Sequence, residues 1–181
     1  MNLISSEYLA QQTILHENPD YGVASIQYAP LILDLFNKID ARSISDYGAG
    51  KKKLYGALKI IGLEKFDYFP YDPVFPEYGA PKTADLVCCI DVLEHIELEF
   101  IDNVIKELSQ ITLNFGIFTI ATGPAMKTLN DGRNAHLIQQ PSSWWLTKLI
   151  RYFEIVELRS NTDRSFWVIV KPKKIDQTQF L

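Results

Sequence analysis

From about residue 43 onward, the apolar positions of this chain switch repeatedly between two periods. Short apolar runs between polar residues mark strands, and apolar residues three and four apart mark helices. Ser43 to Tyr47 reads as a short strand running into Gly48-Ala49-Gly50. Lys51 to Ile61 carries Leu54, Leu58 and Ile61 at helical spacing, and Phe66 to Tyr71 reads as a second strand. Asp85 to Asp91 is nearly all apolar between two acids, the pattern of a strand buried on both faces. Glu97 to Gln110 is amphipathic, with Ile101, Val104, Ile105 and Leu108 inward. Phe115 to Thr122 follows as another buried strand, and Ser142 is placed to cap a helix over Ser143 to Tyr152. Two β-rich segments close the chain, Glu154 to Leu158 and Ser165 to Val170, around a hairpin turn at Ser160-Asn161-Thr162-Asp163.

The first 40 residues read as helical. Ser5 or Ser6 can cap a helix through about His16, which Asn18-Pro19-Asp20-Tyr21-Gly22 breaks. Pro30 can open a second helix with Leu31, Ile32, Leu35, Phe36 and Ile39 on one face. Alternating strands and helices predict an α/β fold: a mostly parallel sheet with helices on both faces, closed by an antiparallel C-terminal hairpin strand. The 181 residues, 47% of them apolar, suit one domain over 1–181, with a helical lid segment at 1–40 and an α/β core at 41–174.

A net charge of −4 lacks the basic field of nucleic-acid binders and points to a small-molecule partner. Cys88 and Cys89 are neighbours in a strand and point to opposite faces, which argues for two buried thiols rather than a disulfide. The histidines and cysteines show no metal-ligand spacing. No apolar run reaches a membrane span, and the start lacks the features of a signal peptide, so a cytoplasmic protein is expected. Trp144 and Trp145 are adjacent on a helix; one is expected in the core, the other as a wall of the substrate site. Lys171, Lys173 and Lys174 read as a solvated tail.

In such sheets ligands sit at the carboxyl ends of the strands, near the switch point. Those exits hold Asp46 to Gly50, Asp72, Asp91 to His95 and the loop after Thr122. Gly48 and Gly50 permit a tight turn and a close approach to a ligand, with Ala49 between them. Asp72 lies 22 residues beyond Gly50, a spacing suited to an acid that grips ribose hydroxyls. A nicotinamide dinucleotide would need a third glycine where Lys53 stands and would set Asp46 against its phosphates. S-adenosylmethionine has no phosphate and is positively charged at its sulfonium and ammonium, which suits Asp46.

At these residues the chain resembles the class I S-adenosylmethionine-dependent methyltransferases. Asp46 to Gly50 resembles the family's glycine loop, and Tyr71-Asp72-Pro73 its ribose-binding acid. Ala84 to Ile96, with Asp91-Val92-Leu93-Glu94-His95 at its centre, resembles the strand and turn after it most specifically. Asp131 to Leu137 and Trp144-Trp145 resemble a bacterial and phage branch. The resemblance implies a Rossmann-like fold, S-adenosyl-L-methionine as cofactor, and Asp91, Val92 and Leu93 along its methionine side. The sequence departs from the pattern in two places. Lys52 occupies the third glycine position, and only residues 73–84, with Pro73, Pro76 and Pro81, separate Asp72 from the next strand. A helix and a third strand do not fit there, so a six-stranded sheet is expected.

Acceptor chemistry is sought in the loop after the fifth strand of that family's fold. His136 is a candidate base for a hydroxyl or amine acceptor, and Arg133 a candidate grip for an acidic group. His95 and Tyr21 are candidate acceptor contacts, and His16 lies in the same lid segment as Tyr21. Bland readings stand beside each: Asp72 as an Asx turn, Asp91 as a helix cap, Glu94 and His95 as packing. At the level of activity, a non-catalytic S-adenosylmethionine-binding module and a nucleotide-dependent oxidoreductase remain as alternatives to a methyltransferase.

Overall fold

A computed structural model describes residues 3–19, 21–162 and 164–173. The strands are β1 (Ser43–Tyr47), β2 (Asp67–Tyr71), β3 (Ala84–Ile90), β4 (Thr112–Ala121), β5 (Phe153–Thr162) and β6 (Ser165–Pro172). They form one sheet in the order β2-β1-β3-β4-β6-β5. The first four are parallel, while β6 runs antiparallel to both β4 and β5. This is the six-stranded, hairpin-closed sheet that the patterning predicts.

Five helices surround it: α1 (Ser6–Glu17), α2 (Ser25–Lys38), α3 (Lys53–Ile60), α4 (Ile101–Ile111) and α5 (Ser142–Leu149). Strand alternation splits the core in two. On one face, Ile32 and Phe36 of α2 and Leu54 and Leu58 of α3 cover Ile44, Leu86, Cys88 and Ile117. On the other, Val104 and Leu108 of α4 and Trp145 and Leu149 of α5 cover Val87, Cys89, Phe118 and Val168. Cys88 and Cys89 are thus free thiols in opposite cores. No helix among the described residues is long and apolar enough to cross a membrane.

Several boundaries differ from the sequence expectation. Helix α2 starts at Ser25, so Pro30 lies inside it rather than opening it, with its ring on the exposed face. Ser142 is the first helical residue of α5 rather than its cap, which is Pro141. Ser5 does cap α1, its hydroxyl accepting from Tyr8 N at 3.1 Å. Between Asp72 and Asp85 the chain makes one short 3-10 turn, Pro76–Tyr78, and neither strand nor α-helix. The β2 strand is left at the sheet edge, the position where Pro70 inside a strand is compatible with pairing. The hairpin turn expected at 160–163 is tighter, because β5 continues to Thr162. Asp20, Asp163 and Lys174 lie outside the described residues.

Because β2 and β3 leave β1 on opposite sides, the switch point falls between the carboxyl ends of β1 and β3. Helix α1 lies across this end. Its Tyr8 packs with Leu129 and Ala135 of the segment after β4, forming a third small apolar cluster.

Candidate cofactor and acceptor site

A cavity of about 590 Å³ opens at the switch point, roofed by α1 and the 21–25 segment. Its size lies within the usual range of small-molecule sites, roughly 300–1,000 Å³. Its floor is the glycine loop after β1, and that loop is fixed internally. The amides of Gly48 and Ala49 both donate to Tyr71 O, at 2.8 and 2.9 Å. Gly50 N donates to Asp72 Oδ2 at 2.9 Å. All three amides are therefore engaged, and none is free to cradle a phosphate. Gly48 is required by packing as well as by its φ of +78°. A Cβ there would lie 2.3 Å from Val92 Cγ2. Lys52, at the third glycine position, adopts the left-handed conformation a glycine would favour, with φ +56°.

Three carboxylates line the cavity: Asp46, Asp72 and Asp91. Asp46 is buried and accepts from the Tyr68 hydroxyl. Burial raises its pKa to about 7 against the lowering effect of that hydrogen bond, and the nearby Asp72 charge adds to the rise. Asp72 holds Gly50 with Oδ2 and Val74 N with Oδ1, the latter at 2.9 Å. It is therefore an Asx turn and a cavity wall at once. Asp91 is not a helix cap. It sits at φ +53°, donates its N–H to Thr119 Oγ1 at 2.9 Å and accepts from that hydroxyl at 2.8 Å. Aspartate is one of the few non-glycine side chains that adopt this conformation readily. None of the three is ion-paired among the described residues. A cavity with three such acids suits a cationic ligand.

The turn after β3 divides its residues between cavity and core. Val92 and His95 line the cavity, whereas Leu93 is fully buried in the apolar core and does not. Glu94 is structural. It is buried, Oε1 accepts from Ala121 N at 2.8 Å, and burial with the Asp91 charge raises its pKa to about 8.

The acceptor wall is built differently from the expectation. Of the segment 131–136, only Ala135 and His136 face the cavity; the rest of that wall is Pro124, Ala125, Met126 and Lys127. Arg133 does not reach it. Its Nε and Nη2 bond Asp131 Oδ2 at 2.7 and 2.6 Å, and Gln11 of α1 donates to the same oxygen at 2.6 Å. Arg133 is thus paired with the carboxylate that Gln11 of the lid also bonds, and its guanidinium lies over the Tyr8 ring of α1 instead of gripping a ligand. Trp144 also stays outside, packed on the core beneath Lys148. Tyr21 does line the cavity, under the Lys127 ammonium at 4.9 Å from its ring centroid.

His136 Nδ1 lies 2.7 Å from Gly123 O. A carbonyl only accepts, so Nδ1 carries the proton and the neutral ring keeps Nε2 as an acceptor. His95 is held the same way, Nδ1 to Ala135 O at 2.8 Å. Asn134, to which the sequence assigned no role, sets this loop: Oδ1 accepts from Ala125 N and His136 N, and Nδ2 donates to Ala125 O, each at 2.9 Å. Its only advance signal is an amide side chain in a glycine-bearing turn. Lys127, Tyr8 and Gln12 also line the cavity without having been singled out for it. They come from long-range packing that no local pattern reports.

No protein-family model and no curated protein matches this sequence. Solved structures do. The 1,6-didemethyltoxoflavin-N1-methyltransferase of Burkholderia thailandensis, with S-adenosylhomocysteine bound, superposes with a TM-score of 0.64 at 15% identity, covering 96% of this chain and 93% of that one. Magnesium protoporphyrin IX methyltransferase of Synechocystis PCC 6803 gives a TM-score of 0.56 at 13% identity over 93% and 95%. The N-methyltransferase NodS of Bradyrhizobium japonicum WM9 gives 0.53 at 11% over 92% and 100%. Both of these also hold S-adenosylhomocysteine. The chain therefore has the Rossmann-like fold of S-adenosylmethionine-dependent methyltransferases.

The residues present fit that cofactor. The acids suit its positive charges, the engaged loop amides suit a ligand without phosphate, and a buried His16 nitrogen with no partner among the described residues faces the same loop.

Proposed function

We propose that this protein is an S-adenosylmethionine-dependent methyltransferase acting on an oxygen or nitrogen of a small molecule. The observation that carries the reading is the set Asp46, Asp72 and Asp91, none of them ion-paired among the described residues, around a glycine loop whose amides are already engaged. That set favours a cationic, phosphate-free ligand over a nicotinamide dinucleotide.

Asp72 would hold the ribose, and Asp46 and Asp91 would favour the positively charged end. When bound, S-adenosylmethionine supplies an electrophilic methyl on its sulfonium. The protein's own part is mainly positional, holding the acceptor in line. Gly123 O fixes the His136 ring so that Nε2 receives the proton the acceptor O–H or N–H gives up as its new bond to carbon forms. The methyl would come from the sulfonium, whose sulfur would keep the electrons of the broken bond. The apolar wall of Ile96, Val104, Pro124 and Met126 suits an organic acceptor with a sizeable apolar body.

The test is equilibrium binding of S-adenosylmethionine against NAD, followed by a screen of amine and hydroxyl acceptors scored by S-adenosylhomocysteine release. Binding with turnover is the expected result. Binding with no product above the uncatalysed rate across the screen would favour a non-catalytic module, and preference for NAD would reject the reading.

A further inference from the structure

We propose that His16 of the lid helix is a ribose-positioning residue, meeting the sugar hydroxyls of an S-adenosyl ligand together with Asp72. The proposal rests on the cofactor reading above and extends it to an element outside the α/β core.

The geometry centres on Gly50. Asp72 Oδ2 holds the Gly50 amide at 2.9 Å. A Cβ on Gly50 would lie 3.2 Å from His16 Cε1 and 3.8 Å from its Nδ1, so the imidazole rests on the same residue. His16 lines the cavity, and its Nδ1 is buried with no hydrogen-bond partner among the described residues. A buried ring nitrogen is ordinarily bonded, and one left unpaired carries its full desolvation penalty. The ring is held in place by edge contacts to Tyr21 and Phe75, with centroids at 5.0 and 5.4 Å. Lys51 Nζ donates to Asn18 O at 2.5 Å and ties the end of α1 to the glycine loop.

The chemistry of the pair is complementary. An ionised Asp72 only accepts, and two of its acceptor sites are taken by Gly50 and Val74. A vicinal diol offers two hydroxyls, each of which both donates and accepts. A neutral imidazole supplies one donor and one acceptor, so it completes what a carboxylate leaves open. Burial lowers the His16 pKa and keeps the ring in that neutral form, although the Asp72 charge opposes the shift.

The experiment uses S-adenosylhomocysteine and its 2′-deoxy and 3′-deoxy analogues as calorimetric probes of the full chain and of His16→Phe. Phenylalanine keeps the ring packing and removes both nitrogens. The expected result is a three- to tenfold loss of S-adenosylhomocysteine affinity, the effect of one neutral hydrogen bond, and little or no loss toward at least one deoxy analogue. His16→Gln, which keeps a donor and an acceptor, should recover part of the loss. Equal losses toward all three probes would make His16 a packing residue and overturn this proposal alone. In the wild-type protein, ligand addition should move the His16 ring ¹⁵N resonances, and unmoved resonances would also overturn it. Failure of the wild-type protein to bind S-adenosylhomocysteine would overturn the cofactor reading itself.

Discussion

His95 and His136 meet edge to face, with ring centroids 4.8 Å apart and planes at 83°. Each gives its Nδ1 proton to a main-chain carbonyl within the 123–136 stretch, Ala135 O for His95 and Gly123 O for His136. Burial first, and then the neighbouring His136, lowers the His95 pKa to about 4. His95 is therefore neutral at physiological pH and a poor proton acceptor. This favours His136 over His95 as the base proposed above.

His136→Ala should slow turnover by about 10²–10⁴-fold, the usual contribution of positioned proton transfer. Affinity for S-adenosylmethionine should stay nearly unchanged. Single-turnover kinetics and calorimetry on the same preparation separate the two quantities. A variant as fast as wild type would reduce His136 to a loop anchor.

Asp72→Ala removes charge-assisted hydrogen bonds, each worth about 1.5–3 kcal/mol, and should weaken S-adenosylmethionine binding by that order. Because Asp72 also holds Gly50 N and Val74 N, stability should fall with it. Asp72→Asn keeps one oxygen acceptor, so its melting temperature should lie between those of wild type and Asp72→Ala. Unchanged affinity in Asp72→Ala would remove the ribose assignment.

Gly48→Ala combines a φ of +78° with a Cβ 2.3 Å from Val92 Cγ2. It should destabilise the fold by about 2–4 kcal/mol in urea denaturation, as overpacking adds to backbone strain. Gly132→Ala, at φ +87° with open space around it, should cost only about 1 kcal/mol. Equal effects would mean that Val92 yields freely.

Glu94 links stability to pH. Its folded pKa is raised to about 8, above the ordinary carboxylate value, so the folded state holds a proton that the unfolded state releases. That contribution is complete below the unfolded pKa and disappears as pH rises through the folded one. Asp46, raised to about 7, acts in the same direction. His95, lowered to about 4, confines its own opposite contribution to acid pH. Melting temperature without ligand should therefore fall from pH 6.5 to 8.5, and Glu94→Gln should flatten the slope. A wild-type profile that rises over this window would contradict the assignment.

The sheet and the strand-exit motifs were legible because they follow from local pattern: buried runs, glycine turns and a crossover too short for a helix. Pro70 inside a strand is a further local sign of an edge position. What local pattern could not show was the direction of individual side chains. The left-handed backbone at Asp91 precedes a turn that puts Val92 in the cavity and Leu93 in the core, so a motif carried over as three consecutive ligands separates into wall and core. Arg133 looks like a free cation in the sequence, but the acid two residues before it occupies its guanidinium, and Gln11 of the distant α1 donates to that same carboxylate. His16 over Gly50 joins positions whose meeting depends on where α1 docks.

The fastenings of α1 bear on how fast a ligand can enter and leave. Ser5 bonds both carboxylate oxygens of Glu97, at 2.8 and 2.7 Å, and Gln11 holds Asp131 at 2.6 Å. With the floor of the cavity fixed by Tyr71 O and Asp72, the roof is the part left to move. Ligand entry would then need these two polar contacts to break, together with the Lys51–Asn18 tether and the packing of Tyr8 on Leu129 and Ala135. Loosening either contact, by Glu97→Gln or Gln11→Ala, should speed arrival and departure together while moving the equilibrium constant far less than either rate.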